Sequence, residues 1–113
     1  MIAFSEALNF INTVGLKNIY EHELKLTDYL YKKLKTVPGL KILGDAPGKL
    51  GLVTFIFEDV HAQDMATFLG KRGYALRSGH MCAQPLLQHF GQETVLRASL
   101  SVYNTEEEID NLI

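Results

Sequence analysis

From Leu16 to Val37 the chain carries apolar residues at spacings of three and four: Leu16, Ile19, Tyr20, Leu24, Leu26, Leu30, Tyr31, Leu34 and Val37. At about 100° per residue these fall on one arc of a helix. Lys17, Asn18, Glu21, His22, Lys25, Asp28, Lys32, Lys33 and Lys35 fall on the other arc, and only Glu23 intrudes on the apolar side. Pro38-Gly39 stops the pattern. The segment reads as a long amphipathic helix lying against a core. Its lysines read as a solvated face, with cations gathered near the helix C-terminus.

The remaining segments divide into short helices and strands. Phe4, Ala7, Leu8, Ile11 and Val14 describe one face of a first helix that Gly15 ends or bends. Leu40 to Leu43 is a short strand, and Gly44 to Gly51 a loop. In GLVTFIF, Leu52 and Ile56 point one way and Val53, Phe55 and Phe57 the other, which predicts a central strand covered on both faces. His61 to Arg72 reads as a helix with Ala62, Met65, Ala66, Phe68 and Leu69 inward, capped by Asp59 or His61. Tyr74 to Leu76 reads as a strand, and RSGHMCAQPLLQHFG breaks all periodicity. In VLRASLSVY, Val95, Arg97, Ser99 and Ser101 alternate with Leu96, Ala98, Leu100 and Val102. A last helix starts with Asn104 as its cap and Glu107 three residues on. Its stripe of Ile109, Leu112 and Ile113 meets the chain end with little apolar surface to bury, and the first helix has no capping residue ahead of it. Both ends read as cut from a longer protein. The element order predicts an α+β layer pair, a small sheet with helices packed mainly on one face.

Composition narrows the function classes. The chain has 113 residues, 47% of them hydrophobic, which suffices for one core and not for two complete domains. A formal net charge of -2 with 21% charged residues argues against disorder and against a nucleic-acid partner. No apolar run approaches the ~20 residues of a membrane span, and no secretory leader is expected. A single cysteine makes no internal disulfide, so the expected location is the cytoplasm.

Reactive residue types converge on Arg77 to Arg97. This segment holds Cys82, His80 and His89, and both arginines outside the Lys71-Arg72 pair. A lone cysteine is commonly a small buried hydrophobe. Cys82, however, sits in a glycine-containing loop, with Pro85 suited to the first turn of a short helix PLLQHF. A helix N-terminus and a nearby cation both favour thiolate, the nucleophilic form. His80, Cys82 and His89 match no metal-ligand spacing and lack a fourth ligand, so no metal is expected. A Cys-His hydrolase pair would need a third orienting group that the sequence does not display. Arg97 lies mid-strand. It reads either as a plain exposed residue or as a fork for a carboxylate, which guanidinium meets with two parallel hydrogen bonds.

RSGHMCAQPLL followed by LRASLSVYNTEEEID resembles the C-terminal segment of group II cysteine desulfurases, along essentially the whole chain. These are pyridoxal-phosphate enzymes of the class V aminotransferase fold, with selenocysteine lyases as close relatives. The resemblance implies that residues 1–113 form the C-terminal small domain of a fold-type I enzyme, without its large cofactor-binding domain. It implies that Cys82 attacks the sulfur of L-cysteine, leaving alanine and an enzyme persulfide, with L-selenocysteine as the alternative substrate. Arg97 matches the residue that binds the substrate carboxylate, and Arg77 and His80 match residues lining the site. A sulfur-acceptor protein, a homodimer and a role in iron-sulfur cluster or other sulfur-transfer pathways are implied for the full-length enzyme. Two departures stand out. Met81 occupies a position where many relatives carry a second histidine, and neither Lys49 nor Lys71 sits in the family's cofactor-lysine motif. The isolated chain is therefore expected to fold but to be inactive. The competing readings are a stand-alone sulfur-carrier or redox module using Cys82, and an interaction domain in which Cys82 is inert.

Overall fold

The structure is a computed structural model that describes residues 2–46 and 48–113. Helices α1 (Ile2–Val14) and α2 (Leu16–Leu34) lead into strands β1 (Leu40–Leu43) and β2 (Leu52–Phe57). Helix α3 (Ala62–Gly70), strand β3 (Arg77–Gly79), helix α4 (Gln84–His89), strand β4 (Val95–Ser99) and helix α5 (Glu106–Leu112) follow. The strands form one sheet in the order β1-β2-β4-β3. Every neighbouring pair is antiparallel.

The two apolar faces of β2 and β4 decide the layering. Val53, Phe55, Leu96 and Ala98 project to one side, where they meet Leu26, Leu30 and Leu34 of α2, Ala62 of α3 and Ile109 of α5. On the other side Leu43, Ile56 and Val95 meet Leu87 of α4, with Met81 packed against them. Three helices therefore cover one face and the short α4 part of the other. This is the α+β arrangement expected from the sequence.

Several local features differ from the sequence reading, each for a physical reason. Helix α2 ends at Leu34 rather than Val37, because Pro38 disfavours helical geometry at the residue before it. Tyr74 to Leu76 is not a strand. The Tyr74 N–H still closes the end of α3 on the Leu69 carbonyl (3.0 Å), with Gly73 at φ 92° turning the chain. The strand begins three residues later, at Arg77. His61 is the α3 cap, its Nδ1 accepting the Gln63 N–H at 3.2 Å. Phe68 faces outward, with the Arg72 guanidinium 3.6 Å from its ring centre. Thr105, not Asn104, caps α5, in a reciprocal capping box with Glu108. The Asn104 side chain instead accepts the Ser101 N–H and donates to Glu108.

The ends of the chain contrast. Ile109 on α5 is 2% exposed, so the last helix is anchored in the core despite its length. Helix α1 has no buried residue, and Ile2, Phe4, Leu8 and Phe10 are all exposed. Among the described residues no helix is long and apolar enough to cross a membrane.

Polar contacts fix α5 to α2. Lys25 lies 2.7 Å from Glu106, and Lys33 2.7 Å from Asp110. The Tyr29 hydroxyl also donates to Asp110, at 2.8 Å. Lys33 first, and Tyr29 second, hold the Asp110 carboxyl below its ordinary value of 3.8. A carboxyl with a lower pKa in the fold than in the unfolded chain contributes stability that is present above the unfolded value. That contribution disappears as pH falls through the folded value. Asp110→Asn removes the titration, so its urea midpoint should fall less than the wild-type midpoint between about pH 5 and pH 2. Superimposable acid limbs for the two proteins would contradict this.

Candidate active site

The register of β3, β4 and β2 builds one surface on the α4 side of the sheet. Arg97 pairs with Arg77 of β3 on one flank and with Thr54 of β2 on the other. Directly opposed residues of antiparallel strands project to the same face. Arg97 lies two residues from Val95, which packs toward Leu87 of α4. The three side chains Arg77, Arg97 and Thr54 therefore share the α4 face.

This pairing is electrostatically unusual. Like charges placed directly opposite in a sheet repel, and among the described residues neither arginine forms an ion pair with a carboxylate. Arg97 Nε is buried and has no hydrogen-bond partner among the described residues. A buried donor without an acceptor is costly. Two arginines directly opposed in the register, one with an unsatisfied Nε–H, are suited to an anion with two oxygens.

The loop bearing Cys82 runs straight off β3. His80 follows Gly79, the last residue of that strand, and α4 begins at Gln84 with Pro85 in its first turn. The side chain of Met81 packs against the core on the α4 face and fixes the loop there. Cys82 is free and exposed. The short helix expected around PLLQHF is present, although six residues give it little more than one turn and a half of dipole. Cys82 lies one residue before its cap, Ala83. Both Met81 and Cys82 take positive φ, at 53° and 58°. That backbone region disfavours side chains with a Cβ.

The structure thus gathers Arg77, Arg97 and the Cys82 loop on the α4 side. His80 and His89 are both exposed. His89 sits at the far end of α4, with its ring against Phe90. Among the described residues no group of three metal-ligating side chains gathers. A cleft lined by Tyr74, Leu76, Ala98, Tyr103 and Glu108 lies on the opposite face of the sheet and includes neither Cys82 nor the arginines.

The sequence reading passed over several contributors. Thr54 is a polar residue in an apolar strand, and that break was its signal. The Ser78 hydroxyl donates to Gln63 Oε1 at 2.6 Å, joining β3 to α3. Thr94 Oγ1 lies 3.4 Å from His61 Nε2, beside the start of β4. These two contacts tie the strands carrying Arg77 and Arg97 to the cap of α3. They join residues far apart in sequence, so no local pattern announces them.

Comparison with known proteins identifies relatives in sequence and in fold. A cysteine desulfurase from Cronobacter sakazakii is 40% identical over 113 residues, covering 100% of this chain and 28% of that protein. A Staphylococcus epidermidis protein named "Probable cysteine desulfurase" is 41% identical over 99% of this chain and 27% of its own length. The chain thus spans about a quarter of the length of these relatives. Among solved structures, the apo cysteine desulfurase from Thermococcus onnurineus NA1 matches with a TM-score of 0.86 at 30% identity, over 91% of this chain and 26% of that one. The cysteine desulfurase CsdA (S-sulfonic acid) from Escherichia coli matches with a TM-score of 0.81 at 33% identity, over 94% of this chain and 26% of that one. The family model described as Aminotransferase class-V spans residues 1–112. Fold, residue pattern and relatives agree, and the chain belongs to the aminotransferase class-V family.

Proposed function

We propose that this chain is the C-terminal small domain of a cysteine desulfurase, contributing the sulfur nucleophile and the anchor for the substrate carboxylate. The observation that carries the reading is the β3–β4 register. It sets Arg77 opposite Arg97 on the face against which Met81 of the Cys82 loop packs, with Cys82 exposed. The names of relatives at 40% identity or more support L-cysteine as the substrate. The exposed apolar side of α1 is the surface that the rest of the enzyme would cover.

Each residue has a definite task in this reading. Arg97, with Arg77 beside it, takes the substrate carboxylate through paired N–H donors, and the anion relieves their mutual repulsion. The Cys82 sulfur, as thiolate, attacks the substrate sulfur. A sulfur–sulfur bond forms while the substrate carbon–sulfur bond breaks. The pair from the broken bond stays on carbon, which takes a proton to become alanine, and Cys82 is left as a persulfide. An acceptor protein then collects that sulfur.

The residues present do not form a pyridoxal-phosphate site. Lys49 donates to the Leu43 carbonyl, Lys71 caps α3, and Lys25, Lys33 and Lys35 pair with Glu106, Asp110 and Asp45. None of these lysines is on the α4 face with Arg97, and Lys41, which is on that face opposite Ile56, lies two strands away from Arg97, on β1. The cofactor's lysine therefore belongs to the part of the enzyme this chain does not cover, and the chain alone should release no sulfur.

Arg77→Thr tests the paired-arginine site. It removes one of two opposed charges, so the fold should gain about 0.2–1 kcal/mol. In the full-length enzyme the same change should raise the KM for L-cysteine about tenfold, the effect of losing one charge-assisted hydrogen bond. An unchanged KM would remove Arg77 from the site.

A further inference from the structure

The Cys82 loop is held in its uncommon backbone by His80 and by the packing of Met81. The Cys82 N–H donates to His80 Nδ1 at 3.3 Å, and the Ala83 N–H donates to the His80 carbonyl at 2.9 Å. Among the described residues, Met81 and Cys82 are the non-glycine positions at positive φ. Such conformations persist where surrounding contacts over-determine them. Here the contacts are the two bonds to His80 and the packing of Met81 against Leu43, Ile56, Leu87 and Val95. Because a backbone N–H is the donor, His80 Nδ1 must carry a free lone pair, which places the ring proton of the neutral imidazole on Nε2.

We propose that His80 is a positioning residue, whose Nδ1 fixes the Cys82 amide and so the direction in which the thiol leaves the loop. The inference rests on Cys82 being the sulfur nucleophile. It gives His80 a task other than touching the substrate: the imidazole acts through the backbone of its neighbour. The geometry is that of a side chain accepting from the amide two residues on, which asparagine reproduces through its carbonyl oxygen. Alanine supplies no acceptor, so the Met81-Cys82 backbone loses one of its restraints.

His80→Asn and His80→Ala separate this role from others. In the isotope-labelled 113-residue chain, a scalar coupling between the Cys82 amide nitrogen and His80 Nδ1 should be visible. The NOE between the amide proton and Hα of Cys82 should be strong in wild type and His80→Asn, because positive φ brings the two protons close, and weaker in His80→Ala. In the full-length enzyme, His80→Asn should keep kcat for persulfide formation within about threefold of wild type. His80→Ala should lower kcat tenfold or more with little change in the KM for L-cysteine. If His80→Asn is as impaired as His80→Ala, the ring itself takes part in the chemistry and the positioning role is wrong. Full activity in both variants overturns it as well. If Cys82→Ser still yields persulfide, the nucleophile assignment fails instead, while the coupling in the isolated chain remains.

Discussion

Cys82→Ser should leave the full-length enzyme unable to form a persulfide at residue 82, with alanine release from L-cysteine falling about a thousandfold or more. A serine oxygen cannot make the sulfur–sulfur bond that removes sulfur from the substrate. The loss is a loss of the attacking atom, not of the fold. Cys82 is exposed, and its neighbours in the loop are held by Met81 packing and by His80. Stability should therefore stay within about 0.5 kcal/mol of wild type. Pyridoxal phosphate should bind as before, as judged by its absorbance. Alanine production at the wild-type rate by this variant would show that carbon–sulfur cleavage does not use residue 82.

Arg97→Lys should have the second largest effect, and of a different kind. Lysine keeps the charge but offers a single point of contact in place of a planar fork. Losing a charge-assisted bond at this position should cost about 1.5–3 kcal/mol of substrate binding. That corresponds to a rise in the KM for L-cysteine of about 10- to 150-fold. Cofactor binding should be unaffected, because in this reading the lysine that holds the cofactor lies outside this chain. The buried and unpartnered Nε of Arg97 makes the case specific. If Arg97 were only an exposed strand residue, lysine would serve equally well and KM would not move.

The contrast between these two residues shows how much of the site was legible in the sequence. Cys82 stood out because the segment around it lost all periodicity and Pro85 announced a short helix. Arg97 stood out as a charge among alternating strand residues. Their relation was not legible, because the β3–β4 register that sets Arg77 against Arg97 is a non-local property. The strand β3 was itself missed. Its three residues, Arg77 to Gly79, are too short for a two-residue period to show, whereas Tyr74 to Leu76 looked more strand-like and is occupied in ending α3. The positive φ values of Met81 and Cys82 were invisible because no glycine marks them.

The layers were easier to read than their margins. The α2 stripe placed Leu26, Leu30 and Leu34 in the core, where they are almost fully buried. The same stripe included Leu16 and Tyr20, which are exposed at 71% and 52%, because the sheet does not extend beneath the first turns of α2. Thr27 is 2% exposed, although polar. Its hydroxyl donates to the Glu23 carbonyl at 2.6 Å and accepts the Gly51 N–H at 2.9 Å. A buried hydroxyl satisfied on both sides behaves as part of the core, and only the fold reveals its second partner.

The most direct test is peptide mass analysis of the full-length protein after incubation with L-cysteine, before and after treatment with a thiol reductant. The account predicts one additional sulfur atom on the peptide containing Cys82, removed by the reductant and formed together with alanine. Alanine formation with the Cys82 peptide unmodified throughout, or with the added sulfur on another residue, would contradict it.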